Sequence, residues 1–335
     1  MENSPVSGSL SRTDEQVSDI VPGINRFPSV SVIIPTKNRP SDLALAVESV
    51  IRQTVPPQQL LIVDQSEDGE SRRRVQERIF GETELRDRTK LCYIHDAAIS
   101  GGAVARNRAM EIARGDIWVF LDDDVILEPG FLEELLQVYV QYPQATGVSG
   151  IITNYRRPPL TFRAWTYIFV RGPFRDERQP IYWNANRLRQ AEPIPVMKFG
   201  GGLMSFRARA IQGLLFDANL RGVSDGEDVD FCSRLQPGAR LLLTPRARLV
   251  HKQSPVGRLQ DHWLRRSVRS TFYLYAKNWR RGVKNRLCFA WLATGYGLVA
   301  TFSGLRRCSL DPWKAFFAGL EEARQLSRQT CRDAN

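Results

Sequence analysis

An α/β fold, with a mostly parallel, Rossmann-like central sheet covered by helices on both faces, is predicted by three observations. Strand-like and helix-like segments alternate from residue 30 to residue 142, the order that produces parallel strands joined by crossover helices. One strand-like run, Trp118-Val119-Phe120-Leu121, drives straight into three consecutive carboxylates, Asp122-Asp123-Asp124. Polar groups follow the carboxyl ends of two further strands, in Pro35-Thr36-Lys37-Asn38-Arg39 and in Asp64-Gln65-Ser66-Glu67-Asp68. Strand ends of this kind converge on one edge of a parallel sheet, where open α/β sheets bind ligands.

The elements follow in order. Residues 1–28 are rich in Ser, Pro, Asp and Glu and lack an apolar run, so they are expected to form a disordered lead rather than a signal peptide. Strands are expected at 30–35, 60–64 and 91–95, and helices at 41–53, 72–80 and 102–113. The strand ending at Leu121 comes next, then a helix over 129–142. Between 154 and 195 the pattern fails in a segment of Arg, Pro and aromatics, including Trp165, Tyr167, Tyr182 and Trp183. That segment suits a lid, an acceptor platform or a peripheral packing insert. Regular structure resumes at 196–199, with a glycine triplet at 200–202, a helix over 224–235 and strand pieces around Leu241 and Leu249. The expected division is a lead over 1–28, a catalytic unit over 29–252 and a basic helical region over 253–335.

Composition narrows the function. Of 335 residues 42% are apolar and 25% charged, the balance of a globular chain. Five scattered cysteines without a CxxC pair argue against a disulfide framework and favour a reducing compartment. Three histidines make a zinc site of His and Cys improbable. From residue 251 onward sixteen Lys or Arg face five Asp or Glu, which leaves thirty-one of each sign before it, so the whole net charge of +11 belongs to the tail. Within that tail, 287–305 carries no charge and is flanked by Arg280, Arg281, Lys284, Arg286, Arg306 and Arg307. Its length approaches a membrane span, but its glycines, hydroxyls and two-sided positive charge favour an interfacial or re-entrant helix on anionic lipid. A helix buried against the catalytic unit and a true span are the other readings.

The carboxylates carry the chemistry. Side chains alternate along a strand, so Asp122 and Asp124 are expected on one side, with Asp123 pointing away or capping a following helix. Two same-side carboxylates suit a hard divalent cation that keeps positions open for a phosphate-bearing ligand. Asp64 suits either an N–H of a base and ribose hydroxyls or a turn or helix N-cap. Gly101-Gly102 opens a helix that places Arg106 and Arg108 to meet a diphosphate, or merely presents surface cations. The second acidic cluster, Asp225-Gly226-Glu227-Asp228-Val229-Asp230, suits either a general base beside an acceptor hydroxyl or the acid preference of a helix start. His251 suits a metal ligand through a neutral ring nitrogen or a structural role.

Taken in order, VIIPTKNRP, IVDQSEDG, GGAVARNRAM, VFLDDDV and GEDVDFCSRL resemble the motifs of family 2 glycosyltransferases of the GT-A fold, over about residues 30–252. The resemblance implies inverting transfer of a single sugar from a nucleotide-diphospho-sugar to a hydroxyl, in polysaccharide or glycolipid assembly, with Mg2+ or Mn2+ as cofactor. It implies that Pro35, Thr36, Asp64, Arg106, Asp122 and Asp123 bind the nucleotide sugar. It further implies that Asp124, Asp122 and His251 hold the metal and that Asp228, with Glu227, is the base. Two departures stand out: Gln65 replaces an acid of the usual DDGS, and Gln-Asp-His-Trp at 260–263 replaces the QxxRW of processive relatives. The expected partners are a glycan or lipid-linked acceptor and the cytoplasmic face of a membrane, with no nucleic acid. The competing expectations are a metal-dependent sugar nucleotidyltransferase and a basic nucleic-acid-binding protein. A Gly-rich loop carrying Lys is missing after the first strand, and the first 250 residues are charge-neutral, which count against these two in turn.

Overall fold

The computed structural model describes residues 27–79, 88–155, 158–171, 192–200, 202–220, 226–254, 263–278 and 282–333. Most of the expected lead, together with Tyr182, Trp183, Gly201, Asp225, Arg280, Arg281 and residues 260–262, lies outside the described residues. The fold is built on one nine-stranded mixed sheet. Strands β1 (Val30–Thr36), β2 (Gln59–Asp64), β3 (Lys90–His95) and β4 (Ile117–Leu121) lie in the order β3-β2-β1-β4, and all pair in parallel. Beyond β4 the sheet continues antiparallel through β8 (Leu203–Arg207) to β6 (Gly147–Ile152). It then passes in parallel to β9 (Leu241–His251), which also pairs with the short β5 (Val125–Leu127) and β7 (Ile194–Val196).

The strand sequences explain the layering. β1 is buried along its whole length, as a parallel strand covered on both faces must be. Its residues divide by alternation: Val32 and Ile34 join Leu60, Ile62, Val119 and Leu121 on one face, while Ile33 joins Leu61, Val63 and Phe120 on the other. The first face is covered by α1 (Pro40–Ile51) and α4 (Phe131–Gln141), which bury Leu43, Val47 and Val50, and Phe131, Leu132 and Leu135. Pro40 stands at the first turn of α1, where its fixed φ and missing N–H cost nothing. α2 (Glu70–Ile79) packs on the same side through Val75 and Ile79, and α3 (Gly102–Met110) covers the second face through Ala103, Ala105 and Ala109.

Four strands depart from expectation. β9 is one continuous strand of 11 residues rather than two pieces. β6 and β8 are not among the expected strands, and β5 stands between the aspartates and the helix expected over 129–142.

From residue 158 onward the chain adds helices. A short α5 (Leu160–Trp165) runs into a π-helical turn over Thr166–Arg171, and α6 (Glu227–Ser233) carries the second acidic cluster. The basic tail forms α7 (Trp263–Asn278), α8 (Val283–Arg307) and α9 (Asp311–Asp333). These helices share a third apolar cluster with Val170, Leu220 and Val229. Among the described residues α8 is the one helix long and apolar enough to cross a membrane, and 33% of its most apolar window is buried in the protein. Cys92, Cys232, Cys288 and Cys308 are free thiols, as the scattered spacing predicted.

Candidate active site

The parallel register sets the site. Thr36 at the end of β1 sits opposite Asp64 at the end of β2, and β4 runs beside β1 and ends at Leu121, so the three polar strand ends meet on one edge. Asp123 neither points away nor caps a helix. It folds back over β1, where its Oδ2 accepts from Thr36 Oγ1 at 2.7 Å and its Oδ1 from Arg39 Nη1 at 2.9 Å. Burial pushes its carboxyl up to about 6, against the pull of Arg39 and Thr36. Arg39 also lies 3.7 Å from Asp124 Oδ2. Burial alone lowers its guanidinium, yet the neighbouring aspartates raise it overall. Asn38, at φ 55°, makes the sharp turn that aims Arg39 inward, and its N–H donates to Ser66 Oγ at 2.8 Å.

Asp122 and Asp124 do share a side. Because Val125 of β5 pairs with His251 of β9, the imidazole is brought to the residue just before β5. His251 Nε2 lies 2.9 Å from Asp124 Oδ1, and Asp124 Oδ2 accepts from the Ser254 N–H at 2.9 Å. Burial raises the Asp124 carboxyl, but these partners and Arg39 outweigh it and hold it below the usual carboxylate range. The Asn154 side-chain amide fixes His251 by donating to its carbonyl at 2.8 Å and accepting from its N–H at 2.9 Å. Donor atoms of Asp122, Asp124 and His251 all lie within 4.8 Å of one another. Space is kept beside them by Gly202, where a Cβ would come within 2.7 Å of Asp122 Oδ2. Two carboxylates and one imidazole form an oxygen-rich donor set that fits Mg2+ or Mn2+.

Arg106 joins the two acidic clusters. Its side chain is 5% exposed and reaches from α3 to Asp122 Oδ1 at 3.0 Å and to Glu227 Oε1 at 3.3 Å, with Phe216 under the guanidinium. Arg108, by contrast, turns to the surface and pairs with Glu111, so the expected placement of both arginines at a diphosphate does not hold. Burial raises the Glu227 carboxyl to about 7 despite Arg106, and the like charge of Asp228 adds to the shift. Its Oε2 is buried without a hydrogen bond among the described residues. Asp228 follows it on α6 and is half-buried. Asp230 serves the fold: it is fully buried and held by Arg234 at 2.6 Å, Asn278 at 2.9 Å and Lys277 at 3.0 Å, which ties α6 to α7.

Asp64 is also fully buried, accepting from the Ser66 N–H at 3.0 Å and from the Tyr93 hydroxyl at 2.6 Å. Burial first, and Asp64 second, raise the Tyr93 phenol far above its ordinary range. Pro35 lies buried in the strand one residue before Thr36. Gln65, the departure from the usual acid, donates to the Thr36 carbonyl at 3.3 Å and accepts from the Gly101 N–H at 2.8 Å. It thereby holds the turn that launches α3 and Arg106. Sequence reasoning assigned no role to Arg39, Gln65, Tyr93, Asn154 or Ser254. Arg39 was the most accessible of these, as a cation directly following a strand end.

A GT-A type α/β fold with paired acidic clusters defines the class, and comparison with known families agrees. Residues 31–210 match the model of glycosyl transferase family 2, and the chain belongs to that family. It is 33% identical over 125 residues to the glucosyl-dolichyl phosphate glucuronosyltransferase of Haloferax volcanii, a match spanning 37% of this chain and 38% of that one. The chain covers less than half the length of the curated relatives it matches first. In fold it is similar to S. aureus TarS 1-349 in complex with UDP-GlcNAc, at a TM-score of 0.56 and 14% identity, covering 89% of this chain and 81% of that one. It is likewise similar to the mannosyltransferase PcManGT of Pyrobaculum calidifontis in complex with GDP-Man and Mn2+, at a TM-score of 0.52 and 18% identity, covering 92% and 88%.

Proposed function

We propose that this protein is an inverting glycosyltransferase that moves one sugar from a nucleotide-diphospho-sugar to an acceptor hydroxyl, in polysaccharide or glycolipid assembly at the cytoplasmic face of a membrane. The observation that carries the reading is the convergence of Asp122, Asp124 and His251 on one sheet edge, joined through Arg106 to the Glu227-Asp228 pair. The names of similar proteins support it: the Haloferax protein acts on a dolichyl phosphate-linked sugar, and the two structures hold UDP-GlcNAc and GDP-Man with Mn2+.

Asp122, Asp124 and His251 would hold Mg2+ or Mn2+, which when bound supplies a Lewis acid to the donor's diphosphate. Pro35, Thr36 and Asp64 shape the strand ends that receive base and ribose, and Asp123 stiffens that edge by clamping Thr36 and Arg39. Asp228 removes the proton from the acceptor hydroxyl as its oxygen attacks the anomeric carbon from the face opposite the nucleotide. The bond to the diphosphate breaks as the new bond forms, so configuration inverts. Arg106 meets the negative charge that collects on the departing diphosphate, and Glu227 keeps that cation beside the base.

UDP-, GDP- and dTDP-sugars screened by thermal unfolding with Mn2+ or with EDTA test the reading. A ligand at 100 times its Kd stabilises by about 2.7 kcal/mol, so one donor class should raise Tm by several degrees with Mn2+ and not with EDTA. No shift with any donor sinks the proposal.

A further inference from the structure

Beside the second acidic cluster lies a cavity of 680 Å³, bounded by the 160–170 segment, α7 and α8, with Lys198 and Gly226 in its wall. This is the size of a small-molecule site. Val170, Leu274, Leu292 and Tyr296 are buried in its floor, whereas Phe162 and Phe302 stand exposed at its mouth. Polar groups along the wall are turned into the protein. The Trp165 indole N–H donates to the Gly295 carbonyl at 3.0 Å, the Ser270 hydroxyl to the Arg266 carbonyl at 3.0 Å, and Thr271 bonds Tyr296 at 3.1 Å. With these groups spent inside the protein, the lining is predominantly apolar, and Thr161, Lys198, Ser267 and Ser303 are among its remaining polar side chains. Such walls reject a glycan, whose hydroxyls would be left without partners, and accept a hydrocarbon chain.

Two features give the cavity a direction. Gly226 lines the cavity and immediately precedes Glu227 and Asp228, so the cavity adjoins the helix start that carries the proposed base. Lys198, 6% exposed, lines the same cavity and adds a positive charge that complements an anionic head. The wall is also fixed rather than accidental: at Gly295 a Cβ would come within 2.5 Å of Phe169, so α8 docks closely on the π-helical turn.

We infer that this cavity takes the hydrocarbon chain of a lipid-phosphate-linked sugar acceptor, holding the chain between α5, α7 and α8 with the phosphate toward Lys198 and a hydroxyl of the linked sugar toward Asp228. The inference rests on the glycosyltransferase reading for the role of the bound lipid, but not for its binding.

Calorimetry on the full chain with monomeric farnesyl phosphate and isopentenyl phosphate tests it. Each buried methylene is worth about a fourfold change in affinity, so the five-carbon probe should bind at least about 100-fold more weakly than the fifteen-carbon one. Ser270→Trp and Ser303→Trp fill the cavity from two different helices. Each should weaken farnesyl phosphate at least about tenfold while the Mn2+-dependent shift with the nucleotide sugar stays unchanged, which also shows that the variants fold. Equal affinities for the two probes, or fillers that bind farnesyl phosphate like the parent, overturn the inference. So does binding to phosphatidylglycerol vesicles that is the same in parent and fillers without monomeric binding, which would make this face a membrane rest. Self-association lost in both fillers, again without monomeric binding, would assign the face to a second copy and overturn it too. If chain binding fails while nucleotide sugars still stabilise the protein, only this inference falls. If chain binding holds and no nucleotide sugar binds, the transferase reading falls instead.

Discussion

The two acidic clusters are built from the same residue type and treat charge in opposite ways. At the end of β4 each aspartate has a partner: Arg106 for Asp122, Arg39 and Thr36 for Asp123, His251 and the Ser254 amide for Asp124. At the start of α6 the matching is uneven. Asp230 is fully satisfied, while Glu227 has one buried oxygen lacking a hydrogen bond among the described residues and its cation shared with Asp122. A charge-matched cluster is a receptacle, whereas a buried carboxylate held near neutrality marks a place where a proton can move. In the proposed reaction, the donor and acceptor halves would be distinguished by how completely their carboxylates are paired.

That contrast can be broken at its strongest point first. Asp228→Asn should lower turnover by about 10²–10⁴-fold, the usual worth of a general base, with nucleotide-sugar binding unchanged; comparable steady-state rates in parent and variant would remove the base from this cluster. Asp124→Ala attacks the other half. Its Mn2+-dependent nucleotide affinity, read by calorimetry, should fall by more than the ~10–100-fold typical of a residue that only supports a ligand, and an unchanged affinity would argue against metal binding there.

Arg106→Leu tests the link between the halves. It leaves Glu227 buried without its cation, so urea denaturation should show a loss of about 3 kcal/mol, and a loss under ~1 kcal/mol would show that the arginine does not tie the clusters together. The smallest effect concerns pH. Because the folded protein raises the Glu227 carboxyl from its ordinary value near 4.5 to about 7, the group's contribution is fully present below 4.5 and is lost as pH rises through 7. Glu227→Gln does not titrate, so in EDTA the stability of the variant relative to the parent should climb across that window and level off above it. Parallel curves would place the proton elsewhere.

Much of this was legible in the sequence, for physical reasons that also explain the failures. The parallel half was readable because β1, β2 and β4 are buried on both faces and their apolar runs end abruptly in polar residues. β6 was missed because Gly147 and Gly150 suggest a loop, yet they are what lets the strand lie close: a Cβ on Gly150 would come within 2.3 Å of the Ala247 carbonyl. β9 was divided in two by Pro245, which the strand tolerates next to an irregularity in its register with β6, between Ser149 and Ile151. At the site, spacing could bring Asp122 and Asp124 to one side but could not foresee that β5 pairs with β9, and it is this pairing that brings up His251. Nor does spacing reveal that of Arg106 and Arg108 only the first points inward, since that depends on which face of α3 the sheet covers.

Arg39 and Arg106 act as resident counterions for the acidic edge. An arriving metal therefore does not neutralise a bare cluster; it displaces a partner already seated. A naked divalent ion that took Asp122 would leave Arg106 with Glu227 alone, whereas an ion arriving with a diphosphate would give the guanidinium a second anion in place of the one it lost. The edge should thus prefer metal and nucleotide together over either alone, with cooperativity arising from one arginine that must always hold something negative.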